Sequence, residues 1–185
     1  MKKNIRNIYT VQFRRKREGI TNYRNRLRIL TARKPRLVVR KSLNNIYAAI
    51  VEYHKNGDII KIACHSSQLK KFGWDCSTGN IPTAYLIGFM IGKKAINANF
   101  NDAVLDIGMN KSVKGTRIYA VLAGALDAGL KIPHDKEILP TKDRIMGKHI
   151  TDYNKLLKKE GLKDIIKTFE QVKKDIDQNI QKKVK

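Results

Sequence analysis

The sequence has few of the features that would indicate secretion or a membrane span. Its 185 residues include only two cysteines, Cys64 and Cys76, which is too few for a disulfide framework and is typical of a reducing compartment. The longest apolar run, residues 84–91, is far shorter than the roughly 20 residues of a membrane-spanning helix. The first basic residues are not followed by an apolar stretch, so we expect no signal peptide. These absences predict a soluble, cytoplasmic protein.

Acidic residues are also scarce. The chain has 16 Asp and Glu against 39 Lys and Arg, a formal net charge of +23, which predicts a polyanionic partner such as nucleic acid or an anionic membrane surface. The first 41 residues hold fifteen bases and a single acid, Glu18. Such an asymmetry is typical of a basic arm that binds nucleic acid, although Arg14–Arg17 alone could also be a solvated or nuclear-localisation-like run.

The residues of common catalytic and metal sites are not arranged for chemistry. None of the four histidines pairs with another at a metal-ligand spacing, and Cys64 and His65 are neighbours that would face opposite sides of a strand. We therefore predict no cofactor, no metal, no small-molecule substrate and no enzymatic activity. An RNA-processing or RNA-modifying enzyme with a basic substrate-binding arm stays open as the alternative. A peripheral membrane protein is less favoured, because the basic segment 21–33 has only a narrow apolar stripe.

One loop has a pattern that favours an anion. Residues 108–116 join a predicted strand to a predicted helix, but the spacing of their glycines fails the nucleotide-binding pattern. Lys111, Lys114 and Arg117 nevertheless cluster near the start of that helix, where a phosphate of RNA would be favoured. An ordinary solvated loop is the alternative.

The N-terminal segment divides into an arm and a helix. Residues 1–18 have no period and are predicted to be extended, with Tyr9 and Phe13 placed among the basic residues to contact RNA or a protein neighbour. Tyr23, Leu27 and Leu30 then fall at helical spacing and predict a helix that Pro35 ends near residue 33. This period favours core packing for Tyr23 over stacking on RNA.

The remaining pattern predicts an α/β (α+β) fold. An antiparallel β-meander, with a tight Asn56-Gly57 turn, gains one strand through a helical crossover, giving one mixed sheet covered by helices. The small residues Gly88 and Gly92 let a long helix pack closely on the sheet. A helical period continues near the C-terminus. The predicted strands are 36–41, 46–53, 59–64 and 103–107, and the predicted helices include 66–72, 82–97, 116–128 and one containing Ile165, Phe169, Val172 and Ile176.

We predict three segments on this basis. They are a basic extended N-terminal arm (1–20), an α/β RNA-binding domain (21–135) and a basic helical C-terminal extension (136–185).

Several blocks of the sequence resemble a known family. They appear in the same order along residues 9–153, and they are FRRKREG (13–19), YRNRL (23–27), KPRLVVR (34–40), GNIPTAYL (79–86), AVLDIG (103–108), GALDAGLKIPH (124–134) and DRIMGKHI (143–150). The chain is similar to the 5S rRNA-binding large-subunit ribosomal proteins of family L-eighteen, in their archaeal and eukaryotic type.

The resemblance implies a structural, non-catalytic protein that binds 5S rRNA and helps to anchor it in the central protuberance of the large ribosomal subunit. The implied partners are 5S rRNA, large-subunit rRNA and neighbouring ribosomal proteins. The basic arm of the family lies along RNA, and this role carries over to Arg14, Arg15, Lys16, Arg17, Arg24, Arg26, Arg28, Arg36, Arg40 and Lys41. The full set of predicted RNA contacts adds Tyr23, Lys34, Lys111, Lys114, Arg117, Arg144, Lys148 and His149.

Overall fold

The computed structural model describes residues 11–156 and 164–182. The strands are β1 (Arg36–Lys41), β2 (Ile46–Glu52), β3 (Ile59–His65) and β4 (Val104–Asp106). The helices are α1 (Arg14–Arg17), α2 (Tyr23–Thr31), α3 (Ile81–Asn97), α4 (Arg117–Asp127), α5 (Lys142–Met146), α6 (Lys148–Leu156) and α7 (Ile165–Lys182), with short 3-10 helices at Ser66–Phe72 and Lys136–Ile138. The predicted order of elements and the α+β class are confirmed.

The four strands form one mixed sheet in the order β3-β2-β1-β4. β1, β2 and β3 are an antiparallel meander, and β4 joins the other edge of β1 in parallel after the crossover through α3. Runs of β-branched and aromatic residues pack well on a pleated surface, which is why these segments form strands. The predicted meander and crossover strand are both confirmed.

The connection between β2 and β3 differs from the predicted turn. Residues 53–58 join the two strands, and the Gly57 amide donates a hydrogen bond to the His54 carbonyl at 3.1 Å. Gly57 has a positive φ of 139°, whereas Asn56 does not have a positive φ. A two-residue Asn-Gly turn needs positive φ at both positions, so the tight turn was wrong although the hairpin is present.

Close contact between α3 and α4 forms the centre of the core. A Cβ atom on Gly88 of α3 would overlap the backbone of Val121, and one on Gly124 of α4 would overlap the backbone of Tyr85. The two helices therefore touch backbone to backbone, which only glycine permits at these positions. Gly92 likewise faces Ala128 at the end of α4. The predicted close packing exists, but the partner of these glycines is a helix rather than the sheet.

α3 and α4 cover one face of the sheet. The side chains that point to them are buried hydrophobic residues: Leu37, Val39, Ile46, Ala48, Ile50 and Cys64. The alternate positions point away from α3 and α4, since successive side chains of a strand face opposite sides. On this opposite side Val38 and Tyr47 are half-buried and Arg40 is exposed. We call this second side the open face.

The apolar stripe predicted for α2 does not pack in the core. Asn22 caps the helix by accepting hydrogen bonds from the amides of residues 24 and 25, but no residue of α2 is buried. Leu27 is 70% exposed and Tyr23 is 36% exposed, so the predicted core packing was wrong. The helix instead turns Arg26 and Ile29 toward the open face, where both line a cavity with residues of β1 and β2.

The first described residues are not all extended. Arg14–Arg17 form a single helical turn, because the amides of residues 17 and 18 donate to the carbonyls of residues 13 and 14. The prediction of an extended arm was therefore wrong at these four residues. The ring of Phe13 lies 5.3 Å from that of Tyr23, which links the turn to α2. Tyr9 and the rest of segment 1–10 lie outside the described residues.

α7 packs on α3 and completes the core. Its helical period is confirmed, because Ile165, Phe169, Val172 and Ile176 are all buried. Lys173 donates a hydrogen bond to the Tyr85 hydroxyl at 2.6 Å, and that hydroxyl donates to Asp127 of α4. α7 thus contributes to the same hydrophobic cluster as the sheet, while the predicted three-segment division stays a prediction. The last residues, 183–185, lie outside the described residues.

Candidate nucleic-acid interface

The basic turn α1 stands on the surface. All four of its side chains are exposed, and none of its residues is buried. The Arg15 Nε donates a hydrogen bond to the Thr21 hydroxyl at 2.9 Å, whereas Arg14 lies 3.8 Å from the Glu18 carboxylate. Four consecutive cations on one exposed turn form a dense positive surface, and arginine guanidinium groups suit the paired oxygens of a phosphate.

Two faces of α2 have different roles. Arg24 and Arg28 are exposed, whereas Arg26 turns inward and donates two hydrogen bonds of 2.8 Å to the two oxygens of Asp58. The hydrogen bond to Asp58 raises the pKa of the Arg26 guanidinium above its ordinary value. Burial alone would raise the pKa of Asp58, but hydrogen bonds from Arg26 and Arg36 outweigh burial and lower it. Asp58 therefore stays ionised and attaches α2 to the sheet.

Arg36 lies between two carboxylates and is only 2% exposed. Its Nη2 atom is 2.6 Å from an oxygen of Asp58, and its Nη1 atom is 3.0 Å from an oxygen of Asp106. A guanidinium buried in this way cannot reach a phosphate without breaking both pairs, and breaking a buried pair is costly. The burial of Arg36 thus disagrees with its predicted RNA contact. Its two ion pairs instead hold the strands and α2 together.

Arg40 has a mixed environment. Its Nη2 atom lies 3.2 Å from an oxygen of Asp106, and its Nη1 atom donates to the Asp106 carbonyl at 2.9 Å. Its side chain nevertheless remains 44% exposed, so one side of the guanidinium stays accessible to a ligand. The neighbouring Lys41 is exposed at the end of β1. Asp106 is therefore an anchor for two arginines and also accepts a hydrogen bond from the Gly108 amide at 2.8 Å.

Four arginines surround one cavity between α2 and the open face. The cavity has a volume of about 280 Å³ and contains Asp58 and Asp106 among its lining residues. The arginines come from three elements: Arg15, Arg26, Arg36 and Arg40. Because Arg26 and Arg36 are paired with the carboxylates more fully than the others, the positive charge left for a ligand belongs chiefly to Arg15 and Arg40.

The basic cluster predicted at the start of α4 is divided. Lys111 is exposed, but Lys114 pairs with Glu137 at 2.7 Å, with both side chains largely in solvent. Arg117 donates hydrogen bonds to the carbonyls of Ser42, Leu43 and Gly79, at 2.9–3.3 Å. Arg117 therefore ties two loops to the helix start and is directed at backbone oxygens of its own chain.

The other predicted contacts lie on the surface. Lys34 is 3.7 Å from the carboxylate of Asp102, a pair that water screens strongly. Arg144, Lys148 and His149 are exposed on α5 and α6. Slight desolvation and then the nearby Arg144 charge lower the pKa of His149 below its ordinary value of 6.5.

The open face contains residues that the sequence prediction missed. The strand register places Arg40 opposite Tyr47, and Tyr47 opposite His65, in one row across β1, β2 and β3. Tyr47 is half-buried between the buried Ile46 and Ala48, but residues 46–51 form a continuous hydrophobic run, so no alternation in the sequence indicates the side of the sheet that Tyr47 faces. No local pattern indicates that Asp58 and Asp106 meet the same arginine, because that depends on long-range pairing.

Within residues 11–156 and 164–182, no group of three His, Cys, Asp or Glu side chains is arranged to hold a metal ion. The described helices also include none that is long and apolar enough to cross a membrane.

A family model matches more than half of the chain. Its description is ribosomal large subunit proteins 60S L5 and 50S L18, and it matches residues 7–104 and 97–135. The matched residues include the basic turn, α2, the complete sheet and the α3–α4 pair, which are the elements that position the interface described above.

Proposed function

The chain belongs to the family of ribosomal large-subunit proteins that comprises 60S L5 and 50S L18, and from this premise we infer that it binds 5S rRNA and helps to anchor it in the central protuberance. A ribosomal role is structural, and rRNA and ribosomal proteins are the partners that the family implies. The identity of the RNA and the position in the subunit are the proposed part. We also propose that the protein has no catalytic activity and acts in the cytoplasm.

The exposed basic turn is the observation that carries this proposal. Arg14–Arg17 present four cations to solvent and bury nothing, so core packing does not explain these residues. Exposed Arg24 and Arg28 on α2 continue the positive surface. Phosphate contacts of this kind supply affinity and fix the orientation of a protein on RNA.

The partly buried ion pairs that hold α2 support the same proposal. Arg26 and Arg36 both pair with Asp58, and these pairs hold α2 against the open face of the sheet. A surface that is ordered before binding loses less conformational entropy when the RNA binds. In this proposal Arg26 and Arg36 position the interface, while the residues around them contact the RNA.

We also propose that the boundaries at residues 20 and 135 separate three segments with different functions. Segment 1–20 and α2 contact RNA, the sheet with α3 and α4 is the scaffold, and residues 136–185 contain α7, which closes the core. The exposed parts of α5 and α6 then remain for large-subunit rRNA or a neighbouring ribosomal protein.

The first test replaces Arg14, Arg15, Lys16 and Arg17 together by Ala. Binding to 5S rRNA and to a size-matched unrelated RNA is measured by gel shift over a range of salt concentrations. The wild type should prefer 5S rRNA, and the variant should bind more weakly. Its log–log salt slope should fall by about 0.7–0.9 for each phosphate that the variant no longer neutralises. Thermal unfolding should be unchanged, because these side chains bury nothing.

A control removes the same charge from elsewhere. Lys70, Lys131, Lys136 and Lys174 are exposed and lie outside the proposed contacts, so their replacement by Ala tests the effect of net charge alone. An equal loss of affinity in this control would contradict a specific role for the basic turn. Equal binding of the two RNAs by the wild type would contradict 5S rRNA as the partner.

A further inference from the structure

The open face of the sheet has a row of side chains suited to unpaired nucleotides. Directly opposed residues on neighbouring strands point to the same side, so Arg40, Tyr47 and His65 form a continuous line across three strands. Tyr47 and His65 are half-buried, and Arg40 is exposed. An arginine beside two aromatic rings offers a cation and two stacking surfaces at neighbouring positions.

The next row on the same side ends in a small exposed residue. The register aligns Val38, Ala49 and Ala63, of which Ala49 is buried, Val38 is half-buried and Ala63 is exposed. The Ala63 side chain rises little above the backbone, so it forms a low floor beside the ring of His65. A planar base needs both a ring to stack on and space beside it, and the position of Ala63 supplies that space.

Both ends of the aromatic row are held in position. The Nδ1 atom of His65 accepts a hydrogen bond from the Ser67 amide at 3.3 Å and lies 2.7 Å from the Ser67 hydroxyl. At the other end, Asp106 holds the guanidinium of Arg40. Side chains that are fixed before a ligand arrives lose little conformational freedom on binding. The row therefore has the order expected of a binding surface.

The aromatic row is continuous with the basic surface. Arg40 belongs to the row and also lines the cavity that Arg15 of α1 lines. These two arginines therefore connect the basic turn to the sheet. A polyanion that follows the exposed cations of α1 thus reaches Arg40 and then Tyr47. This continuity of positive charge favours RNA over a neutral or basic protein surface as the occupant of the open face.

We propose that unpaired nucleotides of the bound rRNA stack on Tyr47 and His65, with a flanking phosphate at Arg40. Single-stranded RNA is commonly recognised by aromatic side chains on the exposed face of a four-stranded sheet, because unpaired bases expose their planar faces. This inference rests on the proposed rRNA-binding function and adds a base-contacting site to the phosphate-contacting arm.

The test replaces Tyr47 by Leu, which keeps an apolar side chain but removes the ring. Affinity for 5S rRNA should fall about fivefold to a hundredfold, the range for the loss of one base–aromatic stack. The salt slope should not change, because stacking releases no counterions. Tyr47→Phe should bind like the wild type. Tyr153→Leu is the matched control, since Tyr153 is 60% exposed on α6 and lies outside the row.

A second variant tests the same surface in case Tyr47→Leu does not fold. Ala63→Glu places a carboxylate on the exposed floor of the open face, without removing any packed side chain, and should weaken binding as well. Unchanged affinity in both Tyr47→Leu and Ala63→Glu would overturn the stacking inference. If the wild type still prefers 5S rRNA in that case, the proposed function stands. If the two variants lose affinity and the wild type binds 5S rRNA and unrelated RNA alike, the stacking site stands and the specific partner fails.

Discussion

The helices α2 and α7 show that the same helical period can accompany two different kinds of packing. Both α2 and α7 repeat apolar residues at helical spacing. α7 buries Ile165, Phe169, Val172 and Ile176 against the core, whereas no residue of α2 is buried. α2 is attached to the sheet by an ion pair, and α7 is attached mainly by hydrophobic contact. A period therefore predicts the helix but does not indicate what covers it.

The difference matches the charges of the two helices. α2 has three arginines in nine residues and no acid, whereas α7 nearly balances its four lysines with three acids, Glu170, Asp175 and Asp177. Lys93 of α3 pairs with Asp177 at 2.7 Å, which fixes α7 at its polar edge as well. A helix with unbalanced positive charge is suited to a polyanion, and a balanced helix is suited to its own protein.

The largest expected effect is on α7. Replacing Ile176, which is 0% exposed, by Ala should lower the free energy of unfolding by about 2–5 kcal/mol, because it leaves a cavity in a packed core. Urea unfolding followed by circular dichroism measures the change. Leu27→Ala in α2 is the matched control and should change stability by less than about 0.5 kcal/mol. Similar losses in both variants would contradict the contrast between the two helices.

A smaller effect is expected where α2 meets the sheet. Asp58→Asn removes the charge that Arg26 and Arg36 share, and hydrogen bonds to charged groups are worth about 1.5–3 kcal/mol. Unfolding should become easier, and trypsin should cleave at Arg24 and Arg28 faster than in the wild type, because α2 loosens before the core does. Glu52→Gln breaks an exposed pair with Lys61 and should leave both measurements unchanged. Unaltered cleavage in Asp58→Asn would show that α2 is held by other contacts.

The smallest expected effect is on pH dependence. Asp58 has a folded-state pKa below its ordinary value of 3.8, so its contribution to stability is present above that value and is lost as the pH falls through the folded pKa. The difference in unfolding free energy between wild type and Asp58→Asn should be constant near neutral pH and shrink as the pH falls below 3.8 and through the folded-state pKa. Urea unfolding at several pH values measures it. A difference that grows on acidification would contradict the sign of the pKa shift.

Much of the fold could be predicted from local sequence. β1 matches its predicted bounds, and α3 and α4 end within two residues of theirs, because proline, glycine and β-branched runs act on neighbouring residues. The burial of Arg36 could not be predicted in the same way. Its partner Asp106 is 70 residues away, and only the parallel pairing of β1 with β4 brings them together.

The candidate interface could be predicted only in part. The density of basic residues identifies the arm, since charge is a property of composition. Which of those bases face solvent depends on Asp58, which is 32 residues from Arg26 and belongs to a connection between strands. The row of Arg40, Tyr47 and His65 likewise depends on the register of three strands, one of which has an irregularity near Val51.

The contact between α7 and α3 has a consequence for synthesis on the ribosome. Tyr85 and Lys173 are separated by 88 residues, so every strand and the basic turn emerge before the helix that covers Tyr85. Until then, the apolar side of α3 on which Phe169 packs against Tyr85 stays exposed. The growing chain therefore carries a complete set of RNA-attracting arginines together with an unfinished core, and it is most prone to aggregate in the interval before residues 165–182 are made.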